Sequence, residues 1–266
     1  MTLYRAVPQD GVAWVTGAST GIGRQLALDL AREGYVVAVT ARGEDKLAAL
    51  VTEAAGSKGR IVPFPGDVTD KAAMPELVSA IESELGPIVL AIFNAGTYYP
   101  TRGDHLDVDN FVKTYEINMF GVVFCLVPVV ERMKARARGQ VAIMGSVSAY
   151  GGLPMAAAYG ASKAALNNMA AALKFDFDKM NIRIQIVNPG FVKTPLTAKN
   201  NFAMPALMDV GDASARIVRG LRSGGFEIAF PRRFVLLLKL INLLPHAAYF
   251  AVMSRAMGWR KRPMRK

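Results

Sequence analysis

The stretch Thr16-Gly-Ala-Ser-Thr-Gly-Ile-Gly23 decides the fold of this chain. It closes the short apolar run Val12–Thr16, which is typical of a buried strand, and it leads into the helical stretch Gln25–Glu33. A helix that begins at a glycine-rich turn directs its free backbone amides and its positive dipole end toward that turn. These groups favour an anion such as the pyrophosphate of a dinucleotide, so the sequence predicts a dinucleotide site here.

The glycines of this turn have separate roles. Gly17 permits the tight turn, Gly21 lets phosphates approach the backbone, and Gly23 allows the helix to pack closely on the strand. Glycine spacing alone is a weak signal, because the alternative is a tight turn without a ligand. The flanking strand and helix favour the dinucleotide. The predicted contacts at the turn come from Gly17, Ser19, Thr20, Gly21, Ile22 and Gly23.

Strand-like and helical stretches alternate along nearly the whole 266-residue chain. The further strand-like runs are Val36–Thr40, Ile61–Phe64, Val89–Phe93, Val141–Met144 and Ile182–Val187. Clear helical stretches between them include Ala72–Leu85 and Ala161–Met180. Continuous apolar strands with helical crossovers imply a parallel sheet that is covered on both faces. We therefore predict a single-domain α/β fold with a doubly wound parallel sheet of Rossmann type.

Composition narrows the function classes. The single cysteine, Cys125, cannot form an internal disulfide, and we interpret it as a small buried apolar residue. The sequence has no cluster of thiols or histidines, so we expect no metal site. Met1–Gly11 lacks an apolar segment of signal-peptide type, and a cytoplasmic location is the simplest expectation.

Tyr159 and Lys163 are the strongest chemical signal in the chain. They are four residues apart on a predicted helix and share one face. A phenol has a pKa near 10, and a cation about 4 Å away at an effective dielectric constant of about 20 contributes roughly 4 kcal/mol. We therefore expect Lys163 to lower the pKa of Tyr159 and make it a proton donor. Ser146, after the run Val141–Met144, would polarise a substrate carbonyl, with Ser148 as the competing serine.

The turn resembles that of the short-chain dehydrogenase/reductase family, and further family motifs follow in order over roughly residues 10–231. They are Asp67-Val68, Asn94-Ala95-Gly96, Asn118, and the segment with Pro189, Gly190, Val192 and Thr194. The resemblance implies that Asp67 and Val68 lie near the adenine and that Asn94 steadies the centre of the sheet. It also implies that Gly96 leaves space for the cofactor and that the segment from Pro189 holds the nicotinamide carboxamide.

The same resemblance implies a catalytic set of Asn118, Ser146, Tyr159 and Lys163. In the family, the lysine also binds the nicotinamide ribose, and the asparagine holds a water that links the lysine to solvent. The expected reaction is hydride transfer between a ketone or aldehyde and its alcohol. The alternative is a catalytically idle dinucleotide-binding redox sensor or membrane scaffold. Family members usually form dimers or tetramers, so a homodimer or homotetramer is expected by resemblance.

Cofactor choice depends on the end of the second strand. Enzymes that select NAD usually have a carboxylate there, whereas this chain reads Thr40-Ala41-Arg42. Arg42 could bind a 2′-phosphate, so we predict NADP(H), with NAD(H) as the alternative. The competing interpretation is a surface arginine paired with Glu44 or Asp45. Arg24, directly after the glycine turn, could assist Arg42, but an exposed helix face is the favoured interpretation.

Two segments are expected to shape the substrate side. In the family, the region after Thr194 is a mobile lid, and here Pro195–Asp212 is rich in apolar side chains and methionine. It contains Leu196, Phe202, Met204, Leu207 and Met208. This makeup favours an adaptable pocket for a small lipophilic molecule, and the alternative is the ordinary packing of a surface helix.

The C-terminal part carries most of the net charge of +11. Residues 1–231 have 23 basic and 21 acidic side chains, whereas residues 232–266 have nine basic side chains and no acidic one. We therefore predict a catalytic NAD(P)-binding domain over residues 1–231 and an apolar, basic and helical extension over residues 232–266.

The extension has two apolar runs, Phe234–Leu244 and Ala247–Met253, followed by the basic cluster 260–266. The first run is too short to span a bilayer, which needs about 20 residues. We expect peripheral association with an anionic membrane surface. The alternatives are burial against a partner subunit or over the mouth of the substrate pocket. Nucleic-acid binding is not expected, because a recognition module and interleaved aromatic residues are missing.

Overall fold

A computed structural model of the chain describes residues 3–200, 204–223 and 225–263. Its strands form one parallel sheet in the order β3-β2-β1-β4-β5-β6-β7. The strand bounds are β1 Val12–Thr16, β2 Val36–Thr40, β3 Arg60–Pro63, β4 Ile88–Phe93, β5 Gly139–Met144, β6 Ile182–Pro189 and β7 Glu227–Phe230. The predicted α/β fold with a doubly wound parallel sheet is confirmed.

Helices connect the strands and continue beyond the last one. Their bounds are α1 Gly21–Arg32, α2 Glu44–Glu53, α3 Ala73–Leu85, α4 Val108–Tyr115, α5 Gly121–Ala135, α6 Ala157–Lys179, α7 Val210–Ser223, α8 Arg232–Ile241 and α9 His246–Ala256. A π-helical turn, Glu116–Phe120, joins α4 to α5. Short 3₁₀ turns lie at Pro8–Asp10, Val147–Ala149, Thr197–Lys199 and Trp259–Lys261.

Apolar strands are required because helices cover both faces of the sheet. On one face, α1, α2 and α7 supply side chains such as Leu26, Leu47 and Ile217 to the first core. On the other face, α3, α5 and α6 supply Met74, Met133 and others to the second core. Strands β1, β4, β5 and β6 are buried along their whole length. This double coverage explains the continuous apolar runs in the sequence.

The order of the strands defines where a ligand can bind. The chain builds β1, β2 and β3 toward one edge, and then β4 starts again on the other side of β1. The two neighbouring crossovers leave in opposite directions at this switch point, so a crevice opens at the carboxyl ends of β1 and β4. The glycine turn after β1 lies at this crevice.

The structure differs from the sequence prediction in one additional strand and in the start of one helix. β7 was not predicted, because its four residues begin with Glu227 and give a short apolar signal, although Ile228 and Phe230 are buried. Helix α6 begins at Ala157 and not at Ala161, so Tyr159 lies in its first turn. The apolar runs of the predicted extension correspond to α8 and α9. The assignment of separate roles to residues 1–231 and 232–266 stays a prediction.

The continuous helix Val108–Ala135 is long and apolar enough to cross a membrane by length and composition. Core helices of soluble proteins pass the same test, and this helix packs Val122, Val129 and Met133 into the second core. Cys125 lies on the same buried face, with its Sγ 3.5 Å from Met74 Sδ. Burial raises the pKa of this thiol to about 12, which agrees with the predicted role as a small core residue.

Candidate active site

A cleft of about 520 Å³ lies at the carboxyl ends of β1, β4, β5 and β6. The residues predicted to form the site line this cleft with two exceptions, Gly23 and Asn118. The lining includes Gly17, Ser19, Thr20, Gly21, Ile22, Arg42, Asp67, Val68, Asn94, Ala95, Gly96, Ser146, Tyr159, Lys163, Pro189, Gly190, Val192 and Thr194. Residues from distant parts of the sequence therefore come together at one edge of the sheet.

The glycine turn is tightly packed on its inner side. Gly17 has a φ of 66°, and a Cβ there would lie 2.6 Å from the Cα of Ala95. A Cβ at Gly23 would lie 2.3 Å from Asn94 Nδ2 and 2.5 Å from the carbonyl oxygen of Gly17. Gly23 is thus absent from the cleft wall because it holds α1 against the turn, as the sequence predicted. Gly21 faces the cleft itself.

Thr16 and Asn94 join the ends of β1 and β4. The Thr16 hydroxyl oxygen accepts hydrogen bonds from the backbone amides of Asn94 (3.1 Å) and Ala95 (3.2 Å). In return, Asn94 Nδ2 donates to the carbonyl oxygens of Thr16 and Gly17, at 3.1 Å each. These four bonds join the ends of β1 and β4 at the centre of the sheet, where the resemblance places the steadying role of Asn94.

Ser146 lies beside Tyr159. The two side chains are hydrogen-bonded, and the Ser146 hydroxyl oxygen also accepts from the amide of Ser148 at 3.2 Å. The Oγ of Ser148 is buried and has no hydrogen-bond partner within the described residues. Between the two serines, the one whose hydroxyl contacts the phenol is therefore Ser146.

The environment of Tyr159 opposes ionisation. Burial raises the pKa of the phenol, and the hydrogen bond with Ser146 acts in the other direction. Lys163 Nζ lies 5.7 Å from the centre of the Tyr159 ring and donates to the carbonyl oxygen of Met144 at 2.7 Å. Burial lowers the pKa of Lys163 to about 8. The expected lowering of the Tyr159 pKa by Lys163 is wrong for this structure, because desolvation dominates at both side chains.

Asn118 is fully buried in the π-helical turn behind the cleft. Its Oδ1 accepts from the amide of Thr97 at 2.7 Å, and its Nδ2 donates to Thr97 O and Ser162 Oγ. Ser162 in turn donates to the carbonyl oxygen of Tyr159 at 2.7 Å. The side chain thus connects the loop after β4 to the first turn of α6. The water relay through Asn118 stays a prediction.

The basic end of the cleft contains Arg42 and Lys46. The Arg42 side chain is 76% exposed, and its guanidinium lies 3.7 Å from the carboxylate of Asp67. Its ion-pair partner is therefore Asp67 and not Glu44 or Asp45, the partners of the competing interpretation. Lys46 was missed in the sequence, although its position four residues after Arg42 was an available signal. Arg24 forms an ion pair with Glu53 and is not part of the cleft wall, which agrees with the favoured interpretation of a helix-surface arginine.

Asn188, also missed in the sequence, orients the Ser146 loop. Its Oδ1 accepts from the backbone amide of Ser146 at 2.9 Å and from Asn167 Nδ2 at 3.1 Å. Its Nδ2 donates to Glu227 Oε1 on β7 at 2.8 Å. The available signal was its position directly before Pro189-Gly190 at the end of a buried strand.

A second, apolar pocket of about 90 Å³ adjoins the cleft and shares Ser146 and Tyr159 with it. Its other apolar walls are Tyr98, Val147, Leu153, Pro154, Ala156, Phe191, Leu196 and Met257. The Tyr98 ring packs edge-on against Tyr159 with ring centres 5.3 Å apart. Met257 follows α9, so the C-terminal extension contributes to this pocket. Nothing in the sequence pattern singled out Met257.

The predicted lid segment is partly fixed to the body of the protein. Met208 forms a parallel bridge with Val192 and packs against the first core. Leu196 lines both the cleft and the apolar pocket, whereas Leu207 is 45% exposed. Phe202 lies outside the described residues. The lid role stays a prediction.

Comparison with known proteins identifies the family of the chain. The family model for short chain dehydrogenase matches residues 11–204. The chain is 35% identical to an uncharacterized oxidoreductase of Myxococcus xanthus, over 91% of this chain and 96% of that protein. It is 33% identical to a 3beta-hydroxysteroid dehydrogenase of Mediterraneibacter gnavus, over 72% of this chain and 70% of that protein.

A solved short-chain dehydrogenase from Streptomyces avermitilis has the same fold, with a TM-score of 0.77 and 22% identity, and each chain is covered to 97%. The resemblance inferred from the sequence motifs is thereby confirmed. The chain belongs to the short-chain dehydrogenase family and is an NAD(P)-binding oxidoreductase that acts on CH–OH groups.

Proposed function

We propose that this protein uses NADP(H) to interconvert a lipophilic ketone or aldehyde and its alcohol, with Tyr159 as the acid and base. One observation carries the proposal. The hydrogen-bonded pair Ser146 and Tyr159 forms part of the wall of both the dinucleotide cleft and the apolar pocket. A substrate carbonyl in the apolar pocket would therefore lie between the proton donor and the cofactor cleft.

The residues of the chain account for the proton side of the reaction. NADP(H), when bound, supplies the hydride in reduction and accepts it in oxidation. During reduction, the Ser146 hydroxyl donates a hydrogen bond to the carbonyl oxygen, and the Tyr159 hydroxyl gives its proton to the same oxygen as negative charge develops. During oxidation, the tyrosine oxygen takes the alcohol proton back. The raised pKa of Tyr159 keeps the phenol protonated and ready for reduction at neutral pH.

Lys163 would stabilise the phenolate that forms when Tyr159 loses its proton. Its ammonium is held beside the ring by the carbonyl of Met144. A lysine with a pKa of about 8 can also exchange protons near neutral pH, which suits a relay that reprotonates Tyr159. Asn118 supports this arrangement from behind by connecting Thr97 to Ser162 on α6.

The preference for NADP(H) is supported by charge at the end of β2. Arg42 and Lys46 both line the cleft, and the nearby carboxylate, Asp67, also accepts hydrogen bonds from the amide and hydroxyl of Thr69. Arg42 and Lys46 supply two positive charges, and the Asp67 carboxylate already accepts hydrogen bonds from Thr69. This end of the cleft therefore favours a 2′-phosphate. NAD(H) is the alternative cofactor.

The lipophilic substrate is supported by the composition of the second pocket, whose walls are mostly aromatic, aliphatic and methionine side chains, with Ser146, Ser148, Thr197 and Asn200 as the polar members. The relative named 3beta-hydroxysteroid dehydrogenase points to the same substrate class. The test is NADPH oxidation with ketones and aldehydes graded by chain length and ring number, with Tyr159→Phe as the blank. Turnover should rise with lipophilicity. NADPH binding without turnover of any carbonyl would favour the idle sensor.

We also propose a homodimer or homotetramer formed through the helices that carry Asn118 and Tyr159. Phe120 and Val127 are 50% and 56% exposed on the first of these helices, and Phe175 on α6 is 77% exposed. Large apolar side chains at such exposure favour a partner surface. Light scattering of the full chain, compared with Phe175→Glu, tests this: a monomer in both samples would contradict it.

A further inference from the structure

We propose that α8 and the start of α9 form a docking surface for an anionic lipid bilayer. The docking surface consists of Leu236, Leu237, Leu240, Leu243 and Leu244 on α8 and the turn after it, together with the exposed Phe250 on α9. This proposal does not depend on the chemistry assigned to Tyr159.

The inner side of the extension is fixed to the body of the protein. Tyr249 is buried and its hydroxyl donates to the carbonyl oxygen of Gly152 at 3.0 Å. A Cβ at Gly151 would lie 2.6 Å from Asn242 Oδ1 and 2.7 Å from the Tyr249 hydroxyl oxygen, so the contact is tight. Lys239 pairs with Glu227 on β7. These contacts decide which face of the extension points outward.

The outer side exposes apolar surface. Leu236, Leu237, Leu240 and Leu243 are 60%, 53%, 55% and 81% exposed. Together with Leu244, they follow the spacing of one helix face continued into the turn after α8. Of the fifteen large apolar side chains that are exposed among the described residues, seven lie in this extension. A contiguous apolar surface of this kind indicates an interaction site.

The charge of the extension favours a bilayer over a second copy of the chain. Residues 232–266 carry nine basic side chains and no acidic one. Arg232 and Arg233 are exposed one helical turn before the leucines, and Arg255 is exposed at the end of α9. Two copies meeting through this face would bring like charges together, whereas anionic headgroups would neutralise them.

The dimensions favour a helix that lies in the plane of the interface. Helix α8 has 10 residues and α9 has 11, and a bilayer span needs about 20. Met257, directly after α9, lines the apolar pocket that contains Tyr159. Docking would therefore bring the pocket close to a source of lipophilic substrate, a consequence that rests on the proposed function.

Vesicle flotation of the full chain tests the docking itself without any turnover. The vesicles contain phosphatidylcholine alone or phosphatidylcholine with phosphatidylglycerol. The double variant Leu240→Glu/Leu243→Glu is compared with the control Val7→Glu/Leu106→Glu, whose native side chains are 43% and 65% exposed elsewhere. Circular dichroism verifies that each variant is folded. The double variant Arg232→Gln/Arg233→Gln tests the charge separately.

Wild type and control should float with the anionic vesicles and much less with the neutral ones. Each leucine that is no longer buried in the bilayer should reduce the partition coefficient of the leucine variant by roughly tenfold. Each positive charge removed in the arginine variant should weaken binding to anionic vesicles by roughly fivefold. Equal flotation of wild type and leucine variant, or equal binding to both vesicle types, overturns the proposal. The proposal is also overturned if wild type does not float and forms an oligomer that the leucine substitutions dissociate. The docking surface would then bind a second copy of the chain.

Discussion

The side chain of Met257 lies with that of Tyr159 in the wall of one apolar pocket. Tyr159 belongs to the part of the chain that matches the family, residues 11–204, and Met257 belongs to the C-terminal extension outside it. The tyrosine proposed as the proton donor therefore lies within the family match, and part of the pocket wall comes from a segment outside that match. This relationship makes the extension a candidate determinant of substrate size.

Changing the size of Met257 should change substrate selection without changing the chemistry. Met257→Trp fills the pocket of about 90 Å³ and should raise the KM of the largest ketones at least about tenfold, while small aldehydes are affected little. Met257→Ala should shift the preference toward larger rings. The control is Val252→Trp on the exposed side of α9, which should resemble wild type. Equal effects of Met257→Trp on small and large substrates would contradict this role.

Removal of the Tyr159 hydroxyl should abolish turnover and preserve cofactor binding. We expect Tyr159→Phe to lower kcat by roughly 10²–10⁴-fold, because the developing alkoxide loses its proton donor. NADPH affinity, measured by fluorescence titration, should change little. The control is Tyr35→Phe, since the Tyr35 hydroxyl donates to the carbonyl oxygen of Ala6 at 2.9 Å and lies outside both the cleft and the apolar pocket. Substantial turnover by Tyr159→Phe would disprove the assignment.

The two cations at the end of β2 should decide between cofactors. Removing a charge-assisted contact to a 2′-phosphate weakens binding by about 1.5–3 kcal/mol, which is roughly tenfold or more. Arg42→Ala and Lys46→Ala should each weaken NADPH binding and leave NADH binding nearly unchanged. Arg24→Ala, at an ion pair outside the cleft, serves as the control. An unchanged dissociation constant for NADPH in Arg42→Ala, with equal binding of NADH, would exclude the predicted preference.

The buried ammonium of Lys163 should make stability rise with pH. Burial lowers its pKa from 10.5 to about 8, so between these pH values the unfolded chain binds more protons than the folded protein. The penalty of burying the charge is fully present below pH 8 and disappears toward pH 10.5, a change of about 3 kcal/mol at ~1.4 kcal/mol per pH unit.

Urea unfolding of wild type and Lys163→Met across this pH range measures the effect. The free energy of unfolding of wild type, relative to that of the variant, should increase as pH rises. Lys163→Met also loses the hydrogen bond to the Met144 carbonyl, which changes the free energy of unfolding by an amount that does not vary with pH. A difference that stays flat from pH 7 to pH 10.5 would show that the pKa of Lys163 is not lowered.

A methyl group at Gly23 should loosen the switch point. Gly23→Ala places a carbon 2.3 Å from Asn94 Nδ2 and 2.5 Å from the Gly17 carbonyl oxygen. Such overpacking costs typically about 1–3 kcal/mol and displaces an amide that joins β1 to β4. Thermal unfolding should show a lower melting temperature and titration a weaker NADPH affinity. Gly211→Ala, with open space around it on α7, should be neutral or slightly stabilising, and equal stability of both variants would contradict this reading.

Local patterns were sufficient for much of the architecture. The six predicted strands are present, because each is a short apolar run that needs no distant context to be recognised. Strand β7 escaped prediction because Glu227 interrupts the apolar signal, and only pairing with β6 makes its four residues a strand. Lys46 and Asn188 escaped because their proximity to the cleft depends on neighbouring segments.

Electrostatics could not be read from spacing. The four-residue separation of Tyr159 and Lys163 suggested a lowered tyrosine pKa, since a nearby cation favours the phenolate. The structure instead raises the pKa of Tyr159 and lowers that of Lys163. The burial of Tyr159 and Lys163 depends on all the residues packed around them, including Tyr98 and the Ser146 loop. A short sequence motif does not contain these neighbours, so it cannot predict the two pKa shifts.

The sequence by itself determined the family, the order of strands and helices, the glycine turn and the residues gathered around it, because each depends on local spacing and residue type. Only the tertiary structure decided that Asn118 is enclosed between Thr97 and Ser162, and that Arg42 faces Asp67. It also decided that Met257 reaches the pocket of Tyr159. These contacts join segments far apart in the chain, and their distances and desolvation arise only when the sheet and its helices are packed together.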